Sequence, residues 1–162
     1  MKTVAIAAGA ISLLLAAPAL AASAAGADFL KKAIKGDNSE IMLGQLAQQR
    51  GASAGTRAFG QTLVQDHTQA KEQASALAEK MGVTPPTTPM PEASHEAQKL
   101  QGLSGAAFDR EFARYMVTDH RKDIGDFQRQ ADKHDGAVSQ LAHQTLPTLH
   151  KHLDMALKLS HG

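Results

Sequence analysis

The chain has 162 residues, with 17 Lys and Arg, 16 Asp and Glu, and a formal net charge of +1. This balance argues against nucleic acid as the partner, because phosphate binding requires a basic surface. Cysteine is absent, which excludes disulfide bonds and a cysteine nucleophile. A domain of this size must therefore rely on its hydrophobic core for stability.

The start of the chain has the pattern of a secretory signal peptide. Lys2 precedes an apolar run that ends near Pro18, and two Ala-x-Ala cleavage patterns occupy residues 19–24. The run, about 15 residues long, is shorter than the ~20 that a membrane-spanning helix needs. We therefore expect residues 1–24 to be removed and residues 25–162 to form one periplasmic or secreted domain, with no transmembrane span left.

Helical periodicity dominates the rest of the chain, and the alternation typical of strands is absent. Apolar side chains recur at helical spacings, as at Phe59, Leu63 and Ala70. Asp28 is the expected N-cap of the first helix, and Gly82 the expected C-cap of the second. The predicted long helices span residues 27–50, 54–81, 105–133 and 135–160, with a short helix near 94–100.

A proline-rich segment, residues 82–94, separates the second and third long helices. Its four prolines oppose a helix. In an extended course the segment reaches ~40 Å, the length of the second helix. The other two connections are short, so the helices on either side of each should pair as antiparallel hairpins. These features predict an all-α, ferritin-like four-helix bundle with a proline-rich crossover between helices 2 and 3.

An Asp-His pair recurs in LVQDH, residues 63–67, and in MVTDH, residues 116–120. In each helix the histidine falls on the apolar stripe and the aspartate falls at its edge. In the fourth helix His150 and His152 both lie near the apolar face, and periodicity does not separate them. Glu40 lies on the small-residue face of the first helix.

The axial positions of these residues also agree. Measured from the turns that join the helices, all four lie ~18–26 Å along their helices, which places them near the middle of the bundle. One carboxylate and three imidazoles there suit a divalent transition metal such as zinc or iron. The predicted ligands are Glu40, His67, His120 and His152, with Asp66, Asp119 and Asp123 as candidates to orient the rings.

Two observations limit this hypothesis. Di-metal bundle enzymes carry Glu-x-x-His on two helices, but Val64, Val117 and Leu149 stand three residues before the candidate histidines. An enzyme is therefore less expected than a binding protein. The same residues also fit a buried polar network that only fixes helix packing in an envelope structural, stress-response or interaction protein, and a third interpretation places the Asp-His pairs on the surface.

Five segments stand out along the chain: FLKKAIKGDNSEIMLGQLA, RAFGQTLVQDH, MGVTPP, LSGAAFDREFARYMVTDH and TLPTLHKHL. Together they resemble the DUF4142 family of exported bacterial proteins, a domain of unknown function among ferritin-like bundles. The resemblance spans residues 28–159 and implies the bundle fold, but no established activity. It favours His152 over His150. The matching polar positions are Glu40, His67, His120 and His152.

Overall fold

The computed structural model describes residues 23–134 and 136–161, so nearly all of the predicted signal peptide lies outside the described residues. All regular structure in the described ranges is helical. No helix there is both long enough and apolar enough to cross a membrane. The helices are α1 (Ala24–Arg50), α2 (Ala54–Lys80), α3 (Pro91–Gln101), α4 (Gly105–Ala131) and α5 (Ala137–His161).

Serine side chains cap the first two helices. The Ser23 hydroxyl accepts a hydrogen bond from the Gly26 N–H at 3.1 Å, so α1 begins before the predicted start. Asp28, the expected cap, lies inside α1, and that prediction was wrong. The Ser53 hydroxyl accepts from the Thr56 N–H at 3.0 Å at the start of α2. Each serine satisfies a backbone donor that a helix N-terminus leaves without a partner.

The proline-rich crossover runs along α1. The Asn38 amide donates to the carbonyl oxygens of Pro86 at 3.2 Å and Thr88 at 3.3 Å. The Ser39 hydroxyl accepts from the Met90 N–H at 2.9 Å. Side chains of α1 therefore satisfy backbone groups that the extended segment cannot pair within itself.

The short helix α3 completes the crossing. It begins at Pro91, three residues before the expected start, because proline suits the first helical position, where no N–H is needed. After α3, the Leu103 carbonyl accepts from Arg50, the last residue of α1, at 3.1 Å. The extended segment thus covers only part of the bundle length, and a helix covers the rest.

The position of α4 gives the topology. Asp109 accepts from the N–H groups of Ala52 and Ser53, each at 2.8 Å, so α4 begins beside the turn between α1 and α2. Helices α2 and α4 therefore start at the same end of the bundle. Helix pairs α1/α2 and α4/α5 are antiparallel hairpins joined by the crossover. This is the predicted four-helix bundle, with α3 as an addition within the crossover.

Two glycines allow α1 and α2 to approach closely. A Cβ atom on Gly60 would lie 2.6 Å from the Gly44 carbonyl oxygen, and one on Gly44 would lie 2.8 Å from the Gly60 carbonyl oxygen. Both distances are shorter than a van der Waals contact. Helices α1 and α2 thus touch backbone to backbone, one turn from the polar residue Glu40.

A buried polar layer lies between two apolar clusters at the ends of the bundle. On α1 it lies between Ile34 of one cluster and Leu43 of the other. On α2 it lies between Leu63 and Ala74 in the same way. The fold therefore buries polar groups in the middle of the bundle. The layer contains Asp37, Glu40, His67, His120 and His152.

Candidate metal site

Three histidines from three helices converge in the polar layer. His67 of α2, His120 of α4 and His152 of α5 are each no more than 5% exposed. Their ring centroids lie 5.2 to 6.1 Å apart. One candidate ligand atom from each ring lies within 4.8 Å of the others. Of the Asp, Glu and His residues that the structure describes, only these form such a group of three or more.

Each of these rings has one nitrogen with a hydrogen-bond partner and one without. The unpartnered atoms are His67 Nε2, His120 Nε2 and His152 Nδ1, all buried. A buried polar atom that forms no hydrogen bond costs about 1–3 kcal/mol. Three such atoms in one cluster require an explanation, and a shared ligand supplies one.

The proton positions follow from the partnered nitrogens. His120 Nδ1 lies 3.0 Å from the Met116 carbonyl oxygen, which can only accept, so Nδ1 carries the proton. His152 Nε2 lies 2.9 Å from Asp66 Oδ2. Burial raises the pKa of Asp66, but hydrogen bonds from His152 and Lys151 outweigh it, so the pKa lies below its usual value. Asp66 is therefore a carboxylate that accepts from His152.

His67 is oriented by a residue that the sequence analysis missed. Its Nδ1 lies 2.9 Å from Asp37 Oδ1 across the α1/α2 interface. With the proton on Nδ1, His67 donates to Asp37 and keeps a lone pair on Nε2. Asp37 precedes Glu40 by three residues on the buried face of α1. That helical spacing was the available signal.

Burial keeps two of the rings neutral. Desolvation, followed by the neighbouring histidines, lowers the pKa of His120 to about 3. Desolvation and His67 lower the pKa of His152 to about 4, although Asp66 opposes the shift. Neutral imidazoles are the form that binds metals. The two rings are therefore available as ligands at neutral pH without loss of a proton.

The spacing of the ligand atoms is close to that of a metal site. Zinc binds imidazole nitrogens at about 2.0–2.1 Å, so tetrahedral ligand atoms lie roughly 3.4 Å apart. The three candidate ligand atoms lie within 4.8 Å of one another, so the rings must move closer together to reach that spacing. A cleft of about 20 Å³ reaches His67 between Asp37 and Asp123, and such a volume holds one water molecule.

The remaining predicted residues lie outside the group of three histidines. Glu40 is buried but is not a member of the histidine group, and its carboxyl faces that of Asp119. Asp123 lines the cleft beside His67. Of the three aspartates predicted to orient rings, Asp66 accepts a hydrogen bond from a histidine of the cluster. His150 is exposed, and His152 occupies the core position.

The comparisons with known proteins agree with this architecture. A crystal structure of a DUF305 fragment from Deinococcus radiodurans superposes with a TM-score of 0.77. The match covers 88% of this chain and 99% of that fragment at 18% sequence identity, which shows a shared fold alone. None of the curated proteins matches the chain. The family model described as a domain of unknown function, DUF4142, matches residues 13–159, so the chain belongs to the DUF4142 family.

Proposed function

We propose that this protein binds a divalent transition-metal ion through His67, His120 and His152. The observation that carries the proposal is the set of three converging ring nitrogens without hydrogen-bond partners. In metal sites, a ligating histidine usually donates its second N–H to a carboxylate or a carbonyl group. Asp37, Met116 and Asp66 supply those acceptors, one for each ring.

The donor set favours zinc or a similar ion over calcium or magnesium. Imidazole nitrogens suit zinc, iron, copper and nickel, whereas calcium and magnesium require oxygen ligands. Three protein ligands leave a coordination position for water or another small ligand. The function we propose is therefore metal binding in an exported helical domain, for storage, sensing or protection.

The first test is elemental analysis of the chain isolated from the periplasm without a histidine tag. We expect about one transition-metal ion per chain, because the cluster has one set of converging ligands. The double variant His67→Ala, His120→Ala should lose the metal. The matched control, His143→Ala with His150→Ala, removes two exposed imidazoles and should keep it. The intact mass of the same preparation tests whether the predicted signal peptide has been removed.

The structural alternative rests on a different observation. The hydrogen bond between Asp37 and His67 joins α1 to α2, and the one between Asp66 and His152 joins α2 to α5. Such bonds are able to fix helix packing in an envelope structural or interaction protein without any ligand. In that case His67→Ala lowers the stability of the fold, and wild type and variant contain equally little metal. The unpartnered ring nitrogens favour metal binding over this alternative, because buried polar groups that serve packing alone are normally all hydrogen-bonded.

A further inference from the structure

The cleft of about 20 Å³ that reaches His67 lies where the α1/α2 hairpin meets the α4/α5 hairpin, and all four long helices contribute to its lining. The side chains that line it range from Lys32, which is 45% exposed, to His67, which is 6% exposed. A wider cleft beside Asp66 is lined by none of the three cluster histidines. The cleft at His67 therefore connects the solvent to the histidine cluster.

The charged residues of this lining are mostly acids. Asp37, Asp123 and Asp126 line the cleft together with one lysine, Lys32. Other basic side chains reach two of these aspartates but do not line the cleft, and they are at least 49% exposed, so solvent screens their charge. A cleft with more negative than positive charge attracts cations and repels anions. The lining therefore suits the passage of a cation.

The outer part of the cleft is able to widen. Lys32 of α1 and Asp126 of α4 form an ion pair that joins the two hairpins, and because Lys32 is exposed the pair is weak. The cleft holds one water molecule, so a hydrated ion must lose water and the walls must separate before it passes. Gly36 leaves space between the walls, since a Cβ there would meet only Asp123 Oδ2, at 3.9 Å.

We propose that divalent transition-metal ions enter and leave the histidine cluster through this cleft, and that the ion pair between Lys32 and Asp126 is the gate at its mouth. The inference rests on the proposed metal-binding function and adds the route to the site. Of the three cluster histidines, His67 is the one that lines the cleft, and its Nε2 has no hydrogen-bond partner. His67 is therefore the first ligand that an entering ion meets.

The test is stopped-flow loading of the metal-free chain with Co²⁺, followed by the visible absorption of the bound ion, with release measured after addition of EDTA. Gly36→Leu places a side chain in the cleft, so loading and release should both slow about tenfold or more, because the ion then waits for a local opening of the fold. The affinity should stay within about threefold, since a change that touches no ligand alters the barrier alone. The matched control, Ala70→Leu, narrows the cleft beside Asp66 and should load at the wild-type rate.

A second pair of variants tests the gate even if Gly36→Leu does not fold. Lys32→Ala removes the gate and the one cation of the lining, so loading at low salt should be about two- to fivefold faster. Lys31→Ala changes the net charge equally but lies outside the cleft, and it should load at the wild-type rate.

The outcomes separate the route from the metal site itself. Either a folded Gly36→Leu that loads at the wild-type rate, or equal loading rates in Lys32→Ala and Lys31→Ala, would overturn the route and leave the metal site intact. If the wild type gives no Co²⁺ absorption, or the double variant His67→Ala, His120→Ala gives the same absorption as the wild type, the metal site and the route are both wrong.

Discussion

Asp109 is the residue that anchors the start of α4 to the α1/α2 turn. Burial raises its pKa, but hydrogen bonds from the N–H groups of Ser53 and Ala52 outweigh this, so the pKa lies below its usual value. A carboxylate with a lowered pKa stabilises the fold above its unfolded pKa of about 3.9. That contribution is lost as the pH falls through the folded pKa.

We expect Asp109→Ala to reduce the free energy of unfolding by about 1–2 kcal/mol at pH 7, because two charge-assisted hydrogen bonds disappear. Urea unfolding measures the change, and the deficit should shrink as the pH falls below the unfolded pKa of about 3.9 and through the lowered folded pKa, where the wild-type carboxyl also protonates. Asp154→Ala is the control, since Asp154 is exposed, and its effect should stay below about 0.5 kcal/mol. An equal deficit at pH 7 and pH 3 would contradict the anchoring role.

At the residue scale, the sequence revealed the histidines better than the groups that orient them. His67 and His120 lie on apolar stripes within a repeated Asp-His pair, a pattern that periodicity detects. Periodicity did not separate His152 from His150, whereas the family resemblance favoured His152, and in the structure His152 is the buried one of the two. The acceptor for His67 is Asp37, on a different helix. Which side chains of two helices meet depends on the rotation and register of one helix relative to the other. The periodicity within a single helix carries no information about either.

At the scale of elements, the contact between α1 and α2 depends on two glycines. A Cβ on Gly60 would meet the Gly44 carbonyl oxygen at 2.6 Å, the Ala47 Cβ at 2.9 Å and the Gln48 nitrogen at 3.0 Å. Two of these atoms belong to the α1 backbone and cannot move alone. Any side chain at position 60 therefore pushes the helices apart.

We expect Gly60→Ala to lower the free energy of unfolding by roughly 1–3 kcal/mol, the usual cost of overpacking. The matched control is Gly125→Ala on α4, where a Cβ would meet only Arg129 Nη1, at 3.4 Å. That change should stabilise the protein by roughly 0.5–1 kcal/mol, because alanine favours a helix. Chemical denaturation compares the two variants. A Gly60→Ala protein as stable as Gly125→Ala would show that the helices separate without cost.

The bounds of the elements show where sequence patterns lose information. The ends of α2 agree with prediction to within one residue: Ser53 caps its start, and Gly82 follows its end. The start of α1 was misplaced, since Ser23 lay within the segment assigned to the signal peptide. Proline at position 91 was taken to oppose a helix, whereas it begins α3. Proline has both effects, and its position relative to the helix start decides between them.

At the scale of the whole molecule, the crossover determines which side chains meet. Because it returns the chain to the α1/α2 turn, α4 runs parallel to α2, and α1 lies antiparallel to α4. That order brings Glu40 opposite Asp119 and sets the three histidines at one level between the apolar clusters. Helix lengths and the length of residues 82–94 predicted this topology. The separation of Glu40 from the three histidines required the three-dimensional structure.

An ion at the histidine cluster would join α2, α4 and α5, and so should stabilise the whole bundle. A ligand that binds only the folded state adds about 2.7 kcal/mol at one hundred times its dissociation constant. For a domain of this size, that corresponds to a rise in Tm of roughly 5–10 °C. Thermal unfolding followed by circular dichroism, with added zinc and then with excess chelator, measures the shift and its reversal.

The variants used for the elemental analysis separate this effect from weak binding at the surface. The rise in Tm should disappear in the double variant His67→Ala, His120→Ala, and persist in His143→Ala with His150→Ala, because the second pair is exposed. A rise of equal size in both variants would place the ion outside the cluster. If the wild type shows no rise, the three ring nitrogens have another partner, and the packing alternative becomes the better account.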